Sequence, residues 1–258
     1  MTPDEKSATL LDLHTDPELL VMVNVWDVIS ATVVAGLPGC RALATASHSI
    51  AASLGYPDGE HIPADEMIAA VGRISAAVDL PVSADLEAGY GDPGETIRKT
   101  IGVGIVGANL EDQMAPLGDA VAAVEAALSA AEAEGLPGFV LNARTDAFLK
   151  AGDRPLDEVI VDAIERGRAF VAAGAPTVFM PGKLDRATVE RLVEGIGERK
   201  VNVIAVPGSL PLEELQQLGV ARVSFGPWTQ RLALTALADA GIAMLSGGSL
   251  PNGVRLLN

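Results

Sequence analysis

Eight short apolar segments, each followed by a stretch with helical periodicity, constrain the fold of this chain more than any other feature. Valine, isoleucine, leucine and alanine dominate them, and they recur every roughly 20 to 40 residues, the spacing of βα units. Near-continuous apolar strands are typical of parallel sheets covered on both faces. The segments cover residues 21–26, 41–46, 81–86, 107–112, 139–144, 177–182, 201–206 and 221–226.

Eight strands with eight following helices predict an α/β fold, a single (β/α)8 TIM barrel over residues 1–258. Its strands span about 21–226, and a helix precedes them. An open dinucleotide-binding sheet would need a glycine-rich turn after the first strand, whereas Trp26 and Asp27 stand there. Asp92, Pro93 and Glu95 form a helix start, and the other predicted helices cover 67–77, 119–134, 155–173 and 185–196. Expected helix ends are marked by Gly174, Gly197 and Gly219.

The net charge of −16, from 18 basic and 34 acidic residues, limits the possible partners. Such a field repels nucleic-acid phosphates and anionic lipid headgroups, so we expect no nucleic-acid or membrane partner. A protein this acidic that binds an anionic substrate must reverse its charge locally, with a divalent cation or a few arginines. The partner we expect is a small anionic acid.

The single cysteine and the N-terminus indicate the compartment. Cys40 cannot form an intramolecular disulfide, and we expect it to be a small buried hydrophobe. The N-terminal segment, MTPDEKSATLLDLHTDPELL, carries acids where an export signal carries lysine and arginine. We therefore expect a cytoplasmic protein.

Acidic side chains concentrate at the ends of the third and fourth predicted strands. Asp85 and Glu87 are two residues apart and share a face, and Glu111 ends the neighbouring strand. Three carboxylates at one barrel mouth repel one another unless a cation or protons intervene. Oxygen ligands suit Mg²⁺, with Mn²⁺ as a substitute. The alternative is that these acids cap helices or lie in solvated loops.

Arg144 follows on the fifth strand, where its planar guanidinium can pair with a substrate carboxylate. The alternative is an ion pair with Asp146 or Glu111. His48 and Tyr90 are candidate proton-transfer groups at strand ends, whereas His14, in the first helix, and His61, in a loop, are expected to be solvated.

Four ordered motifs carry a family resemblance. They are TASHSIAASLGYPD at 45–58, ADLEAGYGD at 84–92, LEDQ at 110–113 and NARTDA at 142–147. In order and at barrel-strand spacing, they resemble the phosphoenolpyruvate mutase/isocitrate lyase superfamily over about residues 21–226. The resemblance implies a β/α barrel that binds Mg²⁺ and a small 2-oxo acid or its enolate.

The resemblance also implies roles for individual residues. Asp85 would contact the metal, and Asp58, Glu87 and Glu111 would hold it largely through waters. The substrate-binding set would be Arg144, Asp85 and the backbone around Ala46, Ser47 and His48, and the catalytic set Arg144, Glu111 and His48. Family members commonly exchange a C-terminal helix, so we expect a homo-oligomer, a dimer or tetramer, with residues 228–245 shortened or swapped.

The sequence departs from the family at its catalytic loop. Isocitrate and methylisocitrate lyases carry a Lys-Cys-Gly-His type segment after the fourth strand, but here Met114, Ala115 and Pro116 follow, without a cysteine. The Lys-Thr-Asn type segment of the mutases is also missing. Glu87 stands where many members have an aspartate.

Three functions follow as hypotheses. The first is an Mg²⁺-dependent lyase that cleaves a C–C bond of a small 2-oxo or 2-hydroxy carboxylate through an enolate. The second is a phosphoenolpyruvate phosphomutase or a phosphonopyruvate hydrolase. The third is a noncatalytic 2-oxo-acid binder. The fold alone does not choose among them.

Overall fold

The computed structural model describes residues 1–257 and contains a closed barrel of eight parallel strands. Each strand pairs with the next along the chain, and β1 pairs with β8 to close the sheet. The predicted (β/α)8 fold is thus confirmed. The strands are β1 Leu20–Val25, β2 Leu43–Thr45, β3 Val82–Asp85, β4 Gly107–Glu111, β5 Val140–Arg144, β6 Thr177–Met180, β7 Val201–Ile204 and β8 Arg222–Ser224.

Helices surround this barrel and follow every strand. They are α1 Pro3–Thr15, α2 Val28–Ala35, α3 Ser47–Ser53, α4 Ala64–Ala76, α5 Pro93–Gly102, α6 Leu117–Ala133, α7 Leu156–Ala172, α8 Arg186–Ile196, α9 Leu212–Gln217 and α10 Trp228–Leu245. The helix start predicted at Asp92 is confirmed, because its carboxylate accepts a hydrogen bond from the Glu95 N–H at 3.0 Å. Helix α3 was not predicted from the sequence, since its polar and small residues lack an apolar period.

Helix α1 closes the N-terminal end of the barrel. A capping box between Thr2 and Glu5 starts it, and Leu10 is fully buried beneath the strands. Gly107, the first residue of β4, permits this approach, because a Cβ there would lie 2.8 Å from a Leu10 methyl. The expectation that His14 is solvated is wrong. Its side chain faces the barrel at 1% exposure, whereas His61 is exposed as expected.

The interior of the barrel holds a layer of polar side chains below the strand ends. The side-chain amide of Asn142 donates to the side-chain Oδ1 of Asn109 at 2.7 Å, and the side-chain amide of Asn202 donates to the side-chain Oδ1 of Asn142. Arg222, also fully buried, donates to the Ser83 hydroxyl at 3.2 Å. Amide pairing satisfies part of this layer, whereas Asn202 Oδ1 and two nitrogens of Arg222 have no partner in the described chain. The strand ends that form the site therefore lie directly above this layer of polar side chains.

Helix α10 contrasts with the rest of the barrel in its exposure. Gln230 is its only buried residue in the described chain, whereas Leu232, Leu237, Ile242 and Leu245 are exposed. A helix with apolar residues in solvent indicates a surface that another element covers. No helix within residues 1–257 combines the length and apolar character needed to cross a membrane.

Candidate active site

A cavity of about 230 Å³ opens where the strands end, at the carboxyl side of the barrel. This is the end at which β/α barrels build their sites, because loops from all eight strands converge there. Strands β1 to β5 and the segments that follow them contribute its polar lining: Asn24, Ser47, His48, Asp58, Asp85, Asn109 and Arg144. Ala46 also lines it.

Asp85 is anchored at the last position of β3. One carboxylate oxygen, Oδ2, accepts hydrogen bonds from the Ser47 backbone N–H at 3.0 Å and the Ser47 hydroxyl at 2.9 Å. The other oxygen, Oδ1, is buried and has no hydrogen-bond partner among the described residues. The start of α3 therefore fixes the carboxylate and leaves one oxygen for a ligand.

Glu87 lies beside the cavity without lining it. Its carboxylate accepts hydrogen bonds from the Glu60 N–H and, at 3.2 Å, from the Tyr90 hydroxyl. Burial, with smaller contributions from the negative charges of Asp58 and Asp85, raises the pKa of Glu87 to about 7. Tyr90 is committed to Glu87 and also lies outside the lining, so the structure does not place it against a substrate.

Arg144 connects the cavity to the second group of acids. Its Nη1 lies 2.6 Å from Glu111, and its Nε lies 2.8 Å from Asp146. Both ion pairs considered from the sequence are thus present, one through Nη1 and the other through Nε. Burial raises the pKa of Glu111 to about 7 despite this arginine, with Asp146 and Asp85 adding to the effect.

Backbone strain concentrates at these strand ends. Five of the six non-glycine residues with positive φ in the described chain lie in the segments after β2, β3 and β4. Such conformations cost of order 1 to 3 kcal/mol each and tend to mark functional sites. They are Glu60, Glu87, Tyr90, Gln113 and Met114.

The donor set agrees with a divalent metal held mainly through water. Across residues 1–257, no three His, Cys, Asp or Glu side chains converge closely enough to hold an ion by themselves. Asp85 Oδ1, however, is a buried anionic oxygen without a partner in the described chain, which is costly unless a cation meets it. Asp58 lines the same cavity, the charges of Asp58 and Asp85 act on the nearby Glu87, and Glu111 pairs with Arg144. The residues therefore fit a divalent metal ion with Asp85 as its one direct carboxylate ligand and with the other acids further from the ion.

Ser47 and His48, at the start of α3, have different roles. Ser47 is engaged by Asp85, so its N–H is not free for substrate. His48 lines the cavity, and its Nδ1 is buried with no partner in the part of the chain described. His48 is therefore available to a bound molecule, whereas Ser47 positions Asp85.

Arg222 and Asn109 belong to the site region and were not predicted. Asn109 lines the cavity one layer below Glu111. Arg222 lies deeper, beneath Asp85. Burial lowers the pKa of Arg222 to about 10, and the negative charge of Asp85 opposes that shift. An arginine inside an otherwise apolar strand segment was the available signal.

The barrel and its acidic strand ends define a β/α-barrel protein of the phosphoenolpyruvate mutase/isocitrate lyase superfamily. The family described as phosphoenolpyruvate phosphomutase matches residues 10–245, and the chain belongs to that family. The resemblance drawn from the four motifs is thus confirmed.

Similar proteins include both mutase-type and lyase-type members. The structure of a phosphonomutase candidate from Burkholderia cenocepacia J2315 is 40% identical, covers 91% of this chain and 98% of that chain, and has a TM-score of 0.85. The 2,3-dimethylmalate lyase of Eubacterium barkeri is 26% identical over 92% of this chain and 86% of its own. An oxaloacetate acetylhydrolase bound to its product oxalate is 25% identical, with a TM-score of 0.87 and coverage of 99% and 92%.

Proposed function

We propose that this protein is an Mg²⁺-dependent lyase that cleaves a C–C bond of a small 2-oxo or 2-hydroxy carboxylate through an enolate. The observation that carries the proposal is the buried Oδ1 of Asp85, unpaired within the described chain, in the same cavity as Arg144. A metal-binding oxygen and a cation at one small cavity suit an acid whose carboxylate and oxo group lie side by side. The lyases among its relatives support this choice.

The residues of the chain divide the work of such a reaction. Arg144 binds the substrate carboxylate, while Glu111 and Asp146 keep the guanidinium in place. Asp85, held by Ser47, supplies the direct metal ligand. Mn²⁺ would serve in place of Mg²⁺. A metal bound there would supply a Lewis acid.

His48 is the proton-transfer residue in this proposal. It lines the cavity with an Nδ1 that has no partner in the described chain, whereas the hydroxyl of Tyr90 is bound to Glu87. The connection from β4 to α6, residues 112–116, brings no cysteine, so the proton donor of the cysteine-containing lyases has no counterpart there. Replacing His48 by Asn should therefore slow turnover more than it weakens oxalate binding.

A phosphomutase or a phosphonopyruvate hydrolase is the second candidate, favoured by the family match and by the Burkholderia relative. The same Asp85 and Arg144 would serve it. Phosphorus NMR with phosphonopyruvate separates the two candidates, because only the second changes the phosphorus resonance. Oxalate binding without turnover of any acid or phosphonate would instead indicate a noncatalytic binder.

Asp85→Asn tests the site assignment. The variant keeps the shape and one acceptor for Ser47 but removes the anionic oxygen, so Mg²⁺-supported oxalate affinity should fall at least about 100-fold, beyond the effect of losing an outer partner. Titration calorimetry measures this. The control is Asp79→Asn, an exposed acid ahead of the same strand, which should bind oxalate normally.

Activity is tested with a panel of 2-oxo and 2-hydroxy acids, with and without Mg²⁺, by following pyruvate, glyoxylate and CO₂. We expect metal-dependent release of a 2-oxo acid that Asp85→Asn abolishes. Oxalate affinity that Asp85→Asn leaves unchanged would contradict the proposal.

A further inference from the structure

The lining of the cavity divides by charge along the strand order. Its ionisable side chains, His48, Asp58, Asp85 and Arg144, all come from β3, β5 and the segment after β2. From β6 to β8 the lining contains no ionisable side chain within the described chain. Apart from glycines and Ser224, it consists of Phe179, Pro181, Ile204, Val206 and Pro227.

This division orients a bound acid. In a closed barrel of eight strands β7 lies opposite β3, so an acid held at Asp85 extends its other end toward Ile204 and Val206. Phe179, on the strand next to Arg144, forms the side of the cavity between them. A second carboxylate in that half would lose water and gain no cation, which is strongly unfavourable. An alkyl group would gain about four-fold in affinity for each methylene buried.

We propose that the substrate is a 4-hydroxy-2-oxo monocarboxylate whose far end is an uncharged alkyl group, not a dicarboxylate. When its C3–C4 bond breaks, the electron pair stays with the departing 2-oxo acid as its enolate, and the C4 hydroxyl gives its proton to His48 and becomes an aldehyde. This inference rests on the proposed function, since it assumes that Asp85 and Arg144 hold the head of the acid. The volume of the cavity is about 230 Å³. Sites for drug-sized ligands begin at roughly 300 Å³. The alkyl group is therefore short.

Leu149 strengthens the apolar half at its mouth. It lies in the loop after β5, lines the cavity and is 55% exposed. An exposed leucine beside an apolar wall gains burial when an alkyl group occupies the cavity. A charged group at the same position would meet this leucine without a hydrogen-bond partner.

Lys183 is an alternative partner for a second carboxylate. It follows Gly182, is exposed, and does not line the cavity. Its Nζ lies against the loop after β7, 2.8 Å from the point that a Cβ on Gly208 would occupy. The lysine therefore lies on the outer rim, and removing it provides a test.

Two probes of the same shape separate the alternatives. Oxaloacetate and 4-methyl-2-oxopentanoate share a 2-oxo-acid head and a branched end, which is a carboxylate in the first and an isopropyl group in the second. Binding is measured as displacement of oxalate in the presence of Mg²⁺. We expect 4-methyl-2-oxopentanoate to bind at least ten-fold more tightly than oxaloacetate, and pyruvate more weakly than its alkyl homologue.

Ile204→Lys supplies a gain of binding that misfolding cannot imitate. A cation in the apolar half should reverse the order, so that oxaloacetate binds more tightly than 4-methyl-2-oxopentanoate. Leu212→Lys, at an exposed leucine of α9, is the matched control and should keep the original order.

The remaining outcomes are decisive. If oxalate binds but oxaloacetate binds as tightly as 4-methyl-2-oxopentanoate, the alkyl assignment is wrong while the proposed function stands. Oxaloacetate preference that Lys183→Met removes would assign the second carboxylate to that lysine and also overturn the inference. If oxalate does not bind with Mg²⁺, the proposed function fails and the inference fails with it.

Discussion

Arg144 is the residue on which the charge balance of the cavity depends. In a chain of net charge −16 it is the only arginine or lysine in the cavity lining of the described chain. Its guanidinium forms ion pairs with Glu111 and Asp146. The ion pairs were an alternative to a substrate role in the sequence. In the fold they are compatible with that role, because they involve Nη1 and Nε and orient the guanidinium at the cavity.

Substitution of Arg144 should separate charge from geometry. Arg144→Lys keeps the charge but loses the planar fork. We expect kcat/KM on the identified substrate to fall roughly 10- to 150-fold, which corresponds to a loss of transition-state stabilisation of about 1.5 to 3 kcal/mol. Arg144→Met should cost more. Mg²⁺ affinity should stay unchanged in Arg144→Lys, which keeps the charge, and should stay unchanged or rise in Arg144→Met, which loses a nearby positive charge. Steady-state kinetics and metal titration measure these effects.

The methionine variant needs a control for stability, because it leaves Glu111 and Asp146 buried without their cation. Adding Glu111→Gln should recover part of the lost unfolding free energy in urea denaturation, without restoring activity. Near-normal turnover by Arg144→Met would place the carboxylate partner elsewhere.

Much of the site could be predicted from residue types and spacing, and the rest required the fold in three dimensions. Asp58, Asp85 and Arg144 belong to the family motifs of the sequence, and all three line one cavity in the structure. The apolar half was not visible, because Ile204 and Val206 look like ordinary strand residues in sequence. Phe225 and Trp228 are large apolar residues that follow β8 in the sequence, but they do not line the cavity.

Helix α1 shows the same limit at the scale of an element. The sequence predicts the helix, but not that one face closes the barrel and buries His14. The His14 Nδ1 contacts the Leu10 carbonyl at 2.7 Å. Because a carbonyl can only accept, Nδ1 is the donor and Nε2 an acceptor. Burial, with the positive charge of Arg222 nearby, lowers the pKa of His14 to about 3.

His14 should make the fold sensitive to mild acid. The unfolded chain binds a proton at this histidine near pH 6.5 and the folded chain only near pH 3, so the unfolding free energy falls as pH falls through that window. At pH 5 the loss from this group is about 2 kcal/mol relative to pH 7. Glu87 and Glu111, whose pKa values are raised to about 7, stabilise the fold over the same window, so the contribution of His14 is measured as the difference between the unaltered protein and a His14 variant in urea denaturation at the two pH values.

His14→Asn offers the matched comparison, because its amide can still donate to Leu10 but cannot titrate. This variant should lose less stability between pH 7 and pH 5 than the unaltered protein. His61→Asn, at an exposed histidine, should behave as the unaltered protein does. Equal acid sensitivity in all three would show that other groups control it.

At the scale of the whole molecule, the series of strands is what the sequence predicts best. Buried apolar segments at βα spacing allow few architectures, and the closed barrel follows from them. The strand ends are predicted less well. Strand β2 covers only Leu43–Thr45 within the predicted segment 41–46, since Ala46 is already the N-cap of helix α3.

Helix α10 predicts how whole molecules associate. The start of this helix borders an outer groove, which Thr229 lines together with Trp26, Ile29 and Val33, and the leucines further along the helix are exposed. We therefore expect a homo-oligomer, a dimer or tetramer, in which this helix packs on a neighbouring copy. Light scattering coupled to gel filtration should show a mass that is a multiple of 26.5 kDa.

Leu237→Lys should shift that equilibrium toward the monomer, because it places a charge in the apolar contact. Thr235→Lys, on the same helix but without an apolar side chain to lose, is the control and should shift it less. A monomer at all concentrations in the unaltered protein would refute the association.

The division of the cavity between two groups of strands has an evolutionary consequence. The groups assigned to the head of the acid lie on β1 to β5, whereas the surface toward its far end lies on β6 to β8. Selection can therefore replace Ile204 or Val206 without disturbing Asp85 or Arg144. Descendants of one ancestral barrel could exchange substrates through a few changes in the second half of the gene, while the first half stays under constraint.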